Sequence, residues 1–375
     1  MIFSILQPAN ILFGRGESAK ASAAARGFGL RGVVVHGANP ARSQWLLDDL
    51  GPAALSVTCP SEPTLVMLED AIGKARAHAP DWVLAIGGGA VLDLGKALAA
   101  MIPARGGPMD HLEVVGKGLP FEVAPLPFIA LPTTSGTGAE VTKNAVIGLP
   151  DHHRKVSLRD DQMIARVAII DPSLTDHCPW PVTLASGLDA ITQVIEPYVS
   201  HKATPYTDAL TLYAIAPGLR ALMQLQYQED SGARDALAWT SLCGGLALAN
   251  AGLGAVHGLA GVIGGRTGAP HGAICGVLLG PVLDMNLARS SGEARVRLTH
   301  VCNILAGVLG CSADLAPQAL AAWARAAGLA RLSALGVADA DHAPIAVAAE
   351  TASSTKGNPV VLSQADLCGV LVAAG

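Results

Sequence analysis

The sequence predicts an α/β domain built on a parallel sheet, followed by an all-helical domain. Three observations carry that expectation. Short, uniformly apolar, β-branched runs alternate with helical segments through the first half of the chain, the pattern of a parallel sheet covered on both faces. Beyond Asp171-Pro172 such runs become scarce and long Ala/Leu-rich segments take over. The chain has 375 residues, a length that suits two domains of about 100–200 residues each. The change of pattern places the boundary between Asp171 and His177, giving residues 1–175 and 176–375.

Taken in order, Gly32-Val-Val-Val-His36 reads as a strand, followed by a turn at Gly37-Ala-Asn-Pro40 and a helix from about Ala41. Leu55 to Cys59 reads as a second strand, leading to a helix from Met67 to His78. Trp82 to Ile86 is a third, ending in Gly87-Gly88-Gly89 and a helix over Val91 to Met101. Phe128 to Leu131 and Val167 to Ile170 complete the set. Between these last two, Asn144–Leu149 and Lys155–Arg159 flank Pro150-Asp-His-His-Arg154 and read as a β-hairpin appended to the sheet. In the second half, Thr183-Leu-Ala-Ser and Pro205-Tyr-Thr-Asp208 read as helix starts.

Composition narrows the function classes. Hydrophobic residues make up 51% of the chain and charged residues only 15%, against about 25% charged in an average soluble domain. A net charge of −5 without a Lys/Arg stripe argues against nucleic acid as a partner. The seven cysteines form no CxxC pair and read as buried thiols in a reducing, cytoplasmic compartment. The opening MIFSILQPANILFGRG shows no basic leader or small-residue cleavage site. Between Asp235 and Asp284 the one Lys, Arg, Asp or Glu is Arg266. Eight glycines, Asn250 and His257 between Ala236 and Gly265 favour a buried helix with a Gly-rich turn over a membrane span.

Three groups of residues point to chemistry. Gly87-Gly88-Gly89 sits where a buried strand meets a helix, so an anion can approach backbone N–H groups at the positive helix end. The same triplet also suits a plain tight turn. Asp93, one turn into that helix, reads from the residues alone as a carboxylate favoured by the dipole. Pro132-Thr-Thr-Ser-Gly-Thr-Gly138 is a hydroxyl-rich loop at the carboxyl end of a strand, where ligands bind in open α/β folds. In the second half, Asp189 and Gln193 stand one helical turn apart. His257 and His271 each precede a glycine in an almost uncharged stretch. One carboxylate and two imidazoles suit a divalent ion with an open position, although a single core histidine needs only a hydrogen bond.

In this order, GGGAVLDLGKA, PTTSGTGAEVTKNAVI, KVSLR, IIDPSLT, SGLDAITQVIEPY and GAVHGLAGVIGG with PHGA resemble the iron-containing (group III) alcohol dehydrogenase family. The likeness runs to about Asn286 and weakens over the last ninety residues. It implies the dehydroquinate synthase-like fold: an N-terminal dinucleotide-binding α/β domain, a C-terminal all-α domain, and catalysis in the cleft between them. It places Gly88, Gly89 and Ala90 against the cofactor pyrophosphate, with Ala90 where many relatives have Ser. Asp93, Thr133, Thr134, Asn144 and Lys155 match cofactor-lining positions, Lys155 as a donor to ribose or phosphate oxygens. The family's one-Asp, three-His metal site corresponds to Asp189, Gln193, His257 and His271. Gln193 thus replaces a histidine, and its neutral oxygen weakens the hold on Fe²⁺ or Zn²⁺. Gly261 stands where many relatives carry a further histidine.

The resemblance further implies NADP or NAD as cofactor. Gly37 occupies the position of the aspartate that marks NAD-selective relatives, which favours NADP, with Arg42 or Asn39 in reach of a 2′-phosphate. The implied activity is interconversion of a small aldehyde or ketone with its alcohol, with His257 and His271 as the catalytic residues. Two alternatives stay open: a metal-independent reductase of the maleylacetate reductase type, and a non-catalytic nucleotide-binding protein with a decayed metal site. Glycerol dehydrogenase and dehydroquinate synthase fit the PTTSGTGAE segment less well. The expected partners are a small carbonyl or alcohol substrate and further copies of the chain as a homodimer or larger, with no nucleic acid and no membrane.

Overall fold

The structure, a computed structural model, describes residues 2–152 and 154–375. Leu6–Thr134 and Gly138–Thr175 form one compact unit, while Asp176–Gly375 and the short segment Ser135–Thr137 belong to another.

The first unit contains strands β1 (Asn10–Phe13), β2 (Gly32–Gly37), β3 (Ala54–Cys59), β4 (Trp82–Gly87), β5 (Phe128–Pro132), β6 (Asn144–Leu149), β7 (Arg154–Arg159) and β8 (Val167–Ile170). Its helices are α1 (Ala21–Arg26), α2 (Gln44–Leu50), α3 (Leu65–His78), α4 (Gly89–Met101) and α5 (Pro108–His111). Six strands pair in parallel in the order β1-β8-β5-β4-β2-β3. β4, β5 and β8 are buried along their whole length, as expected for strands covered on both sides. Side chains alternate between the faces. Val33, Val35, Val83 and Ala85 meet α3 and α4 residues such as Leu68, Leu94 and Leu98. Val34, Leu84, Ile86 and Leu131 meet Ala21 and Ala25 of α1 and Leu46 and Leu50 of α2. Gly95 lets α4 lie directly on the sheet, because a Cβ there would stand 2.6 Å from the Ala85 Cβ.

Strand order decides where a ligand can sit. The chain goes from β2 to β3 on one side and returns to β4 on the other, so the order reverses between β2 and β4. Crevices at the carboxyl ends of the strands, at such a reversal, are where open α/β sheets bind ligands. The register aligns those ends: His36 is level with Ile86, and Gly87 with Pro132.

The parallel α/β sheet and helical second half follow the sequence expectation, with local differences. β1 was not foreseen. It is a four-residue edge strand beside β8, too short and too exposed to show a periodic pattern. The β6–β7 hairpin forms its own antiparallel sheet rather than extending the parallel one. It packs on α4 through the Lys96 ammonium and the Asp93 carboxylate. Its turn includes His153, which lies outside the described residues.

The second unit consists of α6 (Trp180–Val199), α7 (Pro205–Leu225), α8 (Ser231–Ala251), α9 (Ala255–Thr267), α10 (His271–Arg289), α11 (Gly292–Leu309), α12 (Ala316–Ala326), α13 (His342–Glu350) and α14 (Gln364–Ala374), joined by short 3₁₀ turns. α7 starts as read, with Thr204 capping it through the Thr207 amide. Thr183 instead lies inside α6, three residues past its start, and its hydroxyl donates to the Cys178 carbonyl. α6 is the central helix, packed against α7, α8 and α10. Among the described residues α10 is the single helix long and apolar enough by itself to cross a membrane. In this structure it packs against α6, α9, α12 and α14.

Candidate functional site

The helical unit gathers most of the expected polar residues. Asp189, Gln193 and Glu196 follow one another along a face of α6 at helical spacing, and all three are buried. His257 lies in the first turn of α9 and His271 is the first residue of α10. Glycines after the two histidines permit the close approach. A Cβ at Gly272 would stand 2.3 Å from the Ala185 carbonyl oxygen, and one at Gly258 would overlap the Thr355 side chain. α10 therefore lies on α6 at the level of Asp189.

The result is a convergence of ligand atoms. His257 Nε2 stands 3.3 Å and His271 Nε2 4.0 Å from Asp189 Oδ1, and the two rings are 5.4 Å apart. That oxygen is buried and makes no hydrogen bond, a costly arrangement for a carboxylate unless something else satisfies it. His257 is oriented from behind: its Nδ1 is 2.7 Å from Glu196 Oε2, while the Val256 amide donates to Glu196 Oε1. A carboxylate on Nδ1 holds a proton there and aims Nε2 at Asp189.

Two further residues were not read from the sequence. One is Glu196, one turn beyond Gln193 on the same stripe. The other is Cys275, one turn after His271 on α10, fully buried, with its sulfur 3.6 Å from His271 Nε2. The ligand atoms of Asp189, His257, His271 and Cys275 all lie within 4.8 Å of one another. Gln193 is engaged elsewhere, its amide nitrogen donating to the Gly136 carbonyl at 2.7 Å. Gly261 is open, with nothing near the position a Cβ would take.

Charge at the cluster follows from burial and opposed groups. Burial is the largest influence on Asp189 and would raise its carboxyl, but His257, His271 and Cys275 outweigh it and hold it low. Burial likewise disfavours charge on the imidazoles. Cys275 and Asp189, joined by Glu196 at His257, overcome it, holding His257 well above its ordinary value and His271 at about 9. An acidic group facing imidazoles that hold protons is the arrangement a divalent ion converts by displacing those protons.

In the sheet unit, the expected nucleotide residues lie along the carboxyl edge. Gly88 caps α4 in an extended conformation, so the first amides of the helix, at Gly89 and Ala90, have no intrahelical acceptor. The Thr133 amide donates to the Gly87 carbonyl at 2.9 Å, and Thr134 lies over Gly88, its Oγ1 3.3 Å from where a Cβ would stand. Gly37 ends β2 with only Val91 nearby. The remaining three have partners within the fold. Asp93 is not a free surface carboxylate, since it accepts from the Val146 amide at 3.1 Å. The Asn144 carbonyl accepts from the buried Lys96 ammonium at 2.9 Å. Lys155, read as a donor to ribose or phosphate, is ion-paired with Glu62.

Comparison with known proteins gives one consistent result. The sequence profile of the iron-containing alcohol dehydrogenase matches residues 8–172, and that of the Fe-containing alcohol dehydrogenase family, C-terminal, matches residues 183–375. The long-chain-alcohol dehydrogenase 1 of Geobacillus thermodenitrificans is 39% identical over 247 residues, covering 66% of this chain and 61% of that one. The chain thus spans about three fifths of that relative's length. The NAD-dependent methanol dehydrogenase of Bacillus methanolicus is 31% identical over 319 residues, 83% of this chain and 81% of its own. The solved alcohol dehydrogenase from Oenococcus oeni superposes with a TM-score of 0.88 at 26% identity, all of both chains included.

Proposed function

Because the chain belongs to the iron-containing alcohol dehydrogenase family, we propose that it is an NAD(P)-dependent oxidoreductase interconverting a small aldehyde or ketone with its alcohol. One observation carries the reading: two imidazole nitrogens converge on one oxygen of a buried carboxylate that makes no hydrogen bond. A divalent cation is the group that such a donor set fits. Asp189, His257 and His271 would hold it, with the Gln193 position as the family's fourth donor.

When bound, the ion supplies Lewis-acid polarisation of a carbonyl oxygen and the nicotinamide supplies the hydride. The chain's own residues prepare that chemistry. Glu196 fixes the tautomer and orientation of His257. Neighbouring helices exclude water from Asp189 and His257, while His271 stays about a third exposed, the open side of the cluster. Gly88, Gly89 and Ala90 offer amides to a pyrophosphate at the positive end of α4, with the Thr134 side chain over Gly88 and Thr133 tied to Gly87 through its amide. Gly37, without a carboxylate, supports NADP over NAD. Asp93, Asn144 and Lys155 shape this edge through α4, β6 and β7.

The imidazole protonation supports a second reading: without an ion, His257 and His271 would donate hydrogen bonds to the developing alkoxide, as in a metal-independent reductase. Free thiols throughout support a reducing, cytoplasmic setting. The test is oxidation of NADPH and NADH with a panel of aldehydes and ketones, before and after chelation and after adding back Fe²⁺ or Zn²⁺. Turnover that disappears with chelator and returns with metal is expected. Turnover indifferent to chelator selects the metal-independent reading, and none under any condition overturns the proposal in favour of a nucleotide-binding protein.

A further inference from the structure

The fourth donor at the centre need not come from Gln193. Its amide nitrogen donates to the Gly136 carbonyl, so the side chain has only a neutral oxygen to offer, and it is held from behind, since even a Cβ on Gly244 would stand only 2.9 Å from the Gln193 Cβ. Cys275 has its polar contact within the cluster itself, its sulfur 3.6 Å from His271 Nε2. It projects from the same face of α10 as His271, one turn on, and its sulfur is within 4.8 Å of the ligand atoms of Asp189, His257 and His271. The Asp189 oxygen on which both imidazoles converge makes no hydrogen bond. Among the described residues no other group of three or more His, Cys, Asp or Glu side chains converges in this way.

We propose that Cys275 binds the divalent ion as a thiolate, so that the centre is Asp189–His257–His271–Cys275 and Gln193 is a positioning residue. This inference rests on the metal reading above. Binding as a thiolate releases the thiol proton to solvent and changes no oxidation state. Two anionic donors then neutralise a divalent charge. A soft sulfur donor in place of an imidazole shifts preference toward thiophilic ions, Zn²⁺ over Fe²⁺. The thiolate also makes the site sensitive to oxidants, because a sulfenic acid no longer offers that donor.

Cobalt(II) reports the sulfur directly. Metal-free full-length protein titrated with Co²⁺ is expected to develop a near-ultraviolet sulfur-to-cobalt charge-transfer band that saturates at stoichiometric metal. Cys275→Ser, with its fold checked by circular dichroism, should lose the band and bind Zn²⁺ roughly 100-fold more weakly in a chelator competition. Gln193→Ala should keep the band. Stoichiometric cobalt without a sulfur band, or a band and zinc affinity unchanged in Cys275→Ser, overturns the thiolate assignment and leaves the metal reading intact. Absence of any cobalt or zinc binding by the wild type overturns both. If Cys275→Ser does not fold, protection of Cys275 from alkylation by stoichiometric Zn²⁺ in the wild type decides the question, and unprotected alkylation overturns the assignment.

Discussion

At the scale of single residues, the two ends of the proposed reaction depend on what a side chain meets. Gly37 has room beside it, since a Cβ there comes no nearer than 4.0 Å to Val91 Cγ2. The Cβ of an aspartate therefore enters without a clash, and its main effect is its charge. Gly37→Asp is expected to raise the KM for NADPH by about tenfold, roughly 1.4 kcal/mol of like-charge repulsion, while the KM for NADH changes little. Equal losses with both nucleotides would remove Gly37 from the ribose end of the site. Lys96 shows the opposite economy. It is a fully buried ammonium that donates to Ala139, Thr142 and Asn144, and burial still lowers it to about 8. Lys96, buried in the GGGAVLDLGKA segment, thus ties α4 to the loop before β6.

At the scale of elements, ends and junctions do most of the positioning. The end of β8 is tied to the turn after β1 by Asp171. Its Oδ2 accepts from the Gly16 amide and the Ser18 amide and hydroxyl, and its Oδ1 accepts from the Ser173 amide and hydroxyl. Burial alone would raise this carboxyl, but the Ser173 and Ser18 hydrogen bonds prevail and lower it. A carboxyl lowered on folding stabilises the native state above its unfolded value, near pH 4, and that gain is lost as pH falls through the folded value. Asp171→Asn is therefore expected to cost roughly 2–3 kcal/mol at neutral pH, with the gap from wild type closing below about pH 4. Denaturant unfolding of both proteins across pH measures this, and a gap independent of pH would show that the donors do not read the charge. The same Asp171 cluster accounts for β1, a strand held by its junction more than by its four residues.

At the scale of the whole molecule, the chain carries two separately cored units, and the proposed ion binds entirely within the helical one. Its binding energy should therefore appear as stability of that unit. Zinc at about 100 times its dissociation constant contributes roughly 2.7 kcal/mol, which corresponds to a rise in Tm of about 5–10 °C for a unit of this size. Calorimetry of metal-free and zinc-loaded protein tests this, and Asp189→Ala should abolish the difference. A rise that survives in Asp189→Ala would locate the ion elsewhere.

How much of this was legible in the sequence differs by range of interaction. The parallel sheet, the helical second half and the Asp189, His257 and His271 trio could be read from apolar runs, glycine corners and ordered motifs, because those patterns are local. Glu196 and Cys275 carried a local signal too, at helical spacing from Gln193 and His271, but nothing in the sequence says which helix faces meet. That was decided where Gly272 lets α10 settle on α6 and where Gly258 admits Thr355. The pairing of Lys155 with Glu62 and of Gln193 with Gly136 was likewise set by tertiary packing. Side-chain periodicity determines which face of an element is buried, and only close approach between elements distant in sequence determines which polar atoms on those faces find one another.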